Sequence, residues 1–141
     1  MKKILIATHG NAAQGIKDSL EMLTGITENV FTINAYTKEN ILLDEIKKFF
    51  DQVSLEDKVI VFTDIGGGSV NQAMIPFSKE SNVFVITGFN IPLILELALE
   101  SRDITNEIIA SKIDISQKQM FKVEGLNDYI ENEDDFFEGG L

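Results

Sequence analysis

Short apolar runs alternate with stretches of helical periodicity along most of the chain. Lys3 to Ala7, Asn29 to Asn34, Lys58 to Thr63 and Asn82 to Thr87 are near-continuous apolar runs of strand length. Such runs are strand candidates. Between the first two, Ile16, Leu20 and Leu23 recur at spacings of four and three, with Gly25 as a stop, which predicts a helix from about Ala12 to Thr24. A second helix is predicted over about 38–52, with Ile41, Leu42, Glu45, Ile46 and Phe49 on or beside one stripe. A third, about Ser69 to Lys79, carries Ala73, Met74 and Phe77 on one stripe, with Pro76 as a cost or kink inside it. Helical stretches follow from about Leu93 to Ser101 and from about Thr105 to Lys112, and Met120 to Val123 is a candidate further edge strand.

Strand, helix and strand repeated in this order predict an α/β fold, because each helical crossover returns the chain in the same direction. The expected architecture is an open, mainly parallel four-stranded sheet flanked by helices, with a possible extra C-terminal edge strand. A chain of 141 residues has room for one such domain. We expect it to span 1–126, followed by an acidic C-terminal tail over 127–141 that holds six acidic residues and no basic one.

Charge and composition then remove whole classes of function. Twelve basic against 23 acidic residues give a net charge of -11, which repels a phosphate backbone and argues against nucleic-acid binding. With no cysteine and a single histidine, a disulfide framework, a thiol nucleophile and a thiolate or multi-histidine metal site are excluded. Chemistry must come from His9, carboxylates, hydroxyls and backbone amides. Met1-Lys2-Lys3 is followed by only four apolar residues, and the longest apolar candidate, Ile91 to Leu99, contains Pro92 and Glu96. Neither resembles a secretory signal or the roughly 20-residue span of a membrane helix. The expectation is a cytoplasmic protein.

Open parallel sheets bind ligands beyond the carboxyl ends of their strands, where neighbouring crossovers leave on opposite faces. At that rim the first strand ends in Thr8-His9-Gly10-Asn11 and the third in Thr63-Asp64-Ile65-Gly66-Gly67-Gly68-Ser69. Preceding a turn into a helix, the His9 imidazole has helix-start N–H groups nearby, an arrangement suited to an anion. An Asp64 carboxylate on one ring nitrogen would fix the tautomer and leave the other free to attack. The glycines let backbone approach a ligand and present N–H donors to phosphate oxygens, with Ser69 adding a hydroxyl or a helix cap. Each feature has a plainer reading: a histidine satisfied by its neighbours, an aspartate that caps a helix or turn, a mobile glycine turn. The loop is neither a P-loop nor a dinucleotide fingerprint. Glu96 and Glu100 read as a solvated helix face.

Several separated motifs in order resemble the enzyme IIA components of the mannose-type phosphoenolpyruvate-dependent sugar phosphotransferase system. They are Ile6-Ala-Thr-His-Gly10, Ala12-Ala13, Ser19-Leu-Glu-Met-Leu-Thr-Gly25, Val61-Phe-Thr-Asp-Ile-Gly-Gly-Gly-Ser69 and Gly88-Phe-Asn-Ile-Pro-Leu93. The resemblance implies that His9 carries a phosphoryl group, that Asp64 orients it, and that Gly10, Gly67, Gly68 and Ser69 line the phosphate pocket. It implies transfer from the phosphocarrier protein HPr to a IIB component that feeds a membrane IIC/IID transporter, with no cofactor and no metal. It also implies a homodimer made by exchanging a C-terminal edge strand, although Met120 to Val123 matches that strand weakly. After Ser69 the family commonly continues Pro-x-Asn where this chain has Val70-Asn71-Gln72, so no role is carried over to Asn71 or Gln72. Two alternatives stay open. One is a IIA-like phosphotransfer subunit serving dihydroxyacetone kinase; the other is a non-catalytic regulatory module controlled by phosphorylation at the same histidine.

Overall fold

The computed structural model describes residues 1–125. The described residues form two compact units, Met1–Phe89 and a second that begins at Asn90. The expected tail over 127–141 lies outside the described residues.

The first unit holds all four strands: β1 (Lys2–His9), β2 (Val30–Ala35), β3 (Lys58–Thr63) and β4 (Val83–Thr87). All pairings are parallel and the order is β2-β1-β3-β4. The interior strands β1 and β3 are buried on both faces, as their unbroken apolar runs require: Ile4, Leu5, Ile6 and Ala7, with Val59 to Phe62 on β3, are at most 2% exposed. Register places His9 opposite Ala35 and Ala7 opposite Thr63, so the ends of β1, β2 and β3 share one rim.

Helix α1 (Ala12–Thr24) follows β1, α2 (Leu42–Phe50) follows β2, and α3 (Ser69–Met74) follows β3. Ile46 and Phe49 of α2 and Val70 and Met74 of α3 pack with Leu5, Ala7, Ile33, Ala35, Val59 and Val61 in one apolar cluster on one face of the sheet. Because β2 and β3 lie on opposite sides of β1, right-handed crossovers put α1 on the other face, where Ala13 and Leu20 are buried. β1 is therefore where the chain reverses its direction of travel across the sheet, and the crevice of an open α/β fold lies at its carboxyl end.

Two of these helices differ from their expected lengths. α2 starts four residues late, because Ile41 is extended and 65% exposed instead of lying on the buried stripe, while Thr37 Oγ1 donates to Asn34 O at 2.8 Å in the preceding turn. α3 stops at Met74 and continues as a 3-10 helix over Ile75–Lys79. Pro76 has no N–H for the carbonyl four residues back, so α-helical pairing ends there.

The second unit contains α4 (Ile91–Leu99) and α5 (Asn106–Gln117), which pack on one another. α4 begins two residues early: Asn90 Oδ1 accepts from Leu93 N at 3.0 Å, and Pro92 sits in the first turn where its missing donor costs nothing. α5 runs beyond the expected Lys112 to Gln117, since no glycine or proline interrupts it. Met120 to Val123 form no strand. Glu96 and Glu100 do not make a solvated face either: their side chains are 12% and 9% exposed, and Lys112 Nζ stands 2.8 Å from Glu96 Oε2 and 3.8 Å from Glu100 Oε2. Arg102 also pairs with Glu100, and its hydrogen bond is the main reason that the Glu100 pKa is lowered. No helix of the described residues is long and apolar enough to cross a membrane.

Candidate functional site

His9 is the last residue of β1 and Asp64 the first beyond β3, so parallel pairing of the two strands brings them together. The Asp64 carboxylate grips His9 twice. Its Oδ2 accepts from the His9 backbone N–H at 2.9 Å and lies 3.0 Å from Nδ1 of the ring, with Oδ1 at 3.3 Å. Partial burial opposes the charge on Asp64, but the His9 backbone donor, the His9 ring and the local backbone outweigh it and lower the Asp64 pKa. A carboxylate can only accept, so the proton of a neutral imidazole sits on Nδ1 and the lone pair on Nε2.

Nε2 faces the hydroxyl of Ser69, the first residue of α3, at 3.4 Å. The intervening loop is built for close approach. Gly67 has φ +77°, and a Cβ on Gly68 would stand 3.1 Å from the Ile65 carbonyl oxygen and 3.6 Å from His9 Cε1. A side chain at Gly68 would crowd the Ile65 carbonyl within the loop and rest in ordinary contact with the ring.

The expected phosphate-facing donors divide into two groups. The Gly10 N–H donates to Ala35 O at 3.0 Å and the Gly68 N–H to Ile65 O at 3.1 Å, so both amides are engaged in shaping the rim. Helix α1 is likewise closed to an anion at two of its first amides. Thr8 Oγ1 accepts from Ala13 N at 2.8 Å, and Asn34 Oδ1 from Gln14 N at 3.1 Å. By contrast, the amides of Ser69 and Val70 open α3 and have no acceptor within the helix. They adjoin the Ser69 hydroxyl that faces Nε2.

Residues 3–113 match the family model described as the PTS system fructose IIA component, EIIA-man. The chain belongs to this IIA family of the phosphotransferase system. The resemblance carried by the His9 and Asp64 motifs is thereby borne out. The mannose-specific EIIAB component of Escherichia coli (strain K12) is 33% identical over 109 residues, an alignment covering 71% of this chain and 32% of that protein. The chain thus spans about a third of the length of that relative. Among solved structures, the PTS IIA protein associated with the fucose utilization operon from Streptococcus pneumoniae is 33% identical, with a TM-score of 0.74 over 86% of this chain and 92% of that one. The component EIIA from Streptococcus agalactiae is 25% identical, with the same TM-score of 0.74 over 86% of this chain and 97% of that one.

Three residues of this IIA chain stand at the site without having been given a role from the sequence. Asn71 Oδ1 accepts from the buried Thr63 hydroxyl at 2.9 Å, which ties α3 to the end of β3, and Gln72 Nε2 donates to Gly67 O at 2.8 Å, which ties it to the intervening loop. Tyr36 follows β2 directly; its ring centroid lies 5.6 Å from that of His9, and its hydroxyl is 2.7 Å from Ser69 Oγ. One signal could have found it: position 36 is the first residue past a strand that ends at the same rim.

Proposed function

We propose that this chain is the phosphoryl carrier of a sugar phosphotransferase system. His9 accepts a phosphoryl group from the phosphocarrier protein HPr and passes it to a IIB component serving a membrane IIC/IID transporter. The observation that carries this reading is the asymmetry of the imidazole: Nδ1 is clasped at 3.0 Å by a carboxylate held ionised, while Nε2 faces the crevice. Phosphoryl transfer asks the protein chiefly for in-line placement of a nucleophile and for donors around the equatorial oxygens. Nε2 is the nucleophile. When it bonds to phosphorus the ring becomes cationic, and the Asp64 carboxylate balances that charge without taking the proton. The Ser69 hydroxyl and the open amides of Ser69 and Val70 supply donors, with Gly67 and Gly68 keeping the space clear and Gly10 setting the turn. The cationic phosphoimidazole remains labile enough to hand its group onward. A net charge of -11 favours encounter with basic faces on the partners.

Intact mass after incubation with phosphoenolpyruvate, enzyme I and HPr tests the reading. Wild type gains one phosphoryl group that mild acid removes, whereas His9→Ala gains none and keeps its fold, because a rim side chain 41% exposed contributes no core volume. A phosphorylated His9→Ala protein, or an unmodified wild type beside active enzyme I and HPr, overturns it.

A further inference from the structure

We infer that Tyr36 is a positioning residue for this reaction: its hydroxyl sets the direction in which the Ser69 hydroxyl points its proton. The inference rests on the reading that His9 carries the phosphoryl group. Tyr36 has φ +67°, in the left-handed region that a bulky aromatic residue rarely adopts. Burial does not compensate, since Tyr36 is 60% exposed. The contacts that the conformation secures are those with the site: the tilted ring contact with His9 and the 2.7 Å contact with Ser69. Strain held at a reactive centre without a packing reward points to a role there.

Proton directions follow from the far end of the chain of contacts. The Asp64 carboxylate requires the proton on Nδ1, so Nε2 can only accept, and the Ser69 O–H, 3.4 Å away, donates to it. The Ser69 oxygen then receives the Tyr36 O–H. All donors in the series Tyr36, Ser69, His9 therefore point inward. In transfer, the Nε2 lone pair forms the bond to phosphorus while the bond from phosphorus to the donor atom breaks, its electron pair staying with the donor. No proton leaves His9. Ser69 loses its acceptor at that moment, and its hydroxyl, still held by Tyr36, donates instead to a phosphoryl oxygen. Without the tyrosine hydroxyl, the serine proton is free to turn outward to water.

Rapid-quench measurement of phosphoryl uptake from phospho-HPr tests this in wild type, Tyr36→Phe, Ser69→Ala and the double variant. Tyr36→Phe, which keeps the ring, slows uptake about five- to tenfold, the worth of one oriented neutral hydrogen bond. In the Ser69→Ala background the same change adds nothing, because it acts through the serine. The ¹⁵N resonance of Nε2 in the unphosphorylated protein also moves in Tyr36→Phe, a readout independent of turnover. Wild-type rates in Tyr36→Phe, or equal slowing with and without Ser69, overturn the inference while leaving the relay intact. A wild type that takes up no phosphoryl group overturns the relay and this inference with it.

Discussion

Strand β1 carries a carboxylate-bound basic side chain at each end, and the two pairs share a distance but not a consequence. At its start Lys3 Nζ lies 3.0 Å from Asp57 Oδ2; at its end His9 Nδ1 lies 3.0 Å from Asp64 Oδ2. Both carboxylates are held below their ordinary range. Asp57 is lowered to about 2, first by the Ser54 backbone N–H and then by Lys3, and Asp64 is lowered by the donors of His9 against the opposing effect of burial. Around Asp57 the polar groups are matched. Lys3 also donates to Gln52 O at 2.8 Å, and Asn82 closes on Ser54 O and Asp57 O at 3.1 and 2.9 Å. The Lys3 and Asp57 side chains are 13% and 11% exposed. Around Asp64 one nitrogen remains in reserve, on a ring 41% exposed at the point where the sheet opens. A perturbed carboxylate pair is thus no mark of chemistry by itself. What separates the two is a lone pair beside a crevice that is met only by the Ser69 hydroxyl at 3.4 Å and can be turned to a reaction.

Exchanging each carboxylate for its amide is the largest test of that contrast. Asp64→Asn slows phosphoryl uptake about a hundredfold. The amide brings no counter-charge for the cationic ring, and by presenting its NH₂ to Nδ1 it can move the proton onto Nε2 and quench the nucleophile. Asp57→Asn leaves uptake at the wild-type rate. Rapid-quench rates that fall equally in both variants would erase the distinction.

Stability reverses the ranking. The folded pKa of Asp57, about 2, lies below its ordinary value of 3.8, so the paired carboxylate stabilises the fold above pH 4 and loses that contribution as pH falls toward 2. Asp57→Asn therefore melts a few degrees below wild type at neutral pH, and the two melting curves converge between about pH 4 and pH 2. A melting-temperature gap that stays constant through that range would show that the carboxylate charge is not what braces the start of β1.

The legible parts of this molecule were those set by local pattern. Buried strands had to be apolar, and β3 appears over Lys58–Thr63 as its run predicts. His9 and Asp64 were recognisable as partners because both end strands that an α/β order brings to one rim. Contacts that depend on which distant side chain arrives were not legible. Lys112 follows Glu96 by 16 residues and turns an apparent solvated face into an ion pair. Thr8 and Asn34 reach the first amides of α1 and close a helix start that looked available to an anion. Tyr36 was hidden twice over: nothing in its neighbourhood is periodic, and its left-handed backbone is imposed on a residue that does not favour it.

The smallest expected effect concerns how the rim holds its shape. The Asp57 end is braced by charge within well-covered structure, whereas the His9 end depends on a glycine loop that buries little and is pinned by side chains from α3. Gln72 is exposed, yet its amide donates to Gly67 O at 2.8 Å, where the loop passes through φ +77°. Gln72→Ala removes that tie and touches neither the nucleophile nor its carboxylate. A single exposed neutral hydrogen bond is worth about 1 kcal/mol or less, so melting temperature changes little. Because the loop sets the distance from Ser69 to Nε2, part of the loss appears as misplacement, and phosphoryl uptake slows about two- to fivefold. Gln72→Glu fails to restore the rate, since a carboxylate has no proton to give the Gly67 carbonyl at neutral pH, while Gln72→Lys restores part of it. If all three variants transfer at the wild-type rate, the loop keeps its geometry through the Thr63 to Asn71 contact alone, and the rim is braced from beneath just as the other end of β1 is.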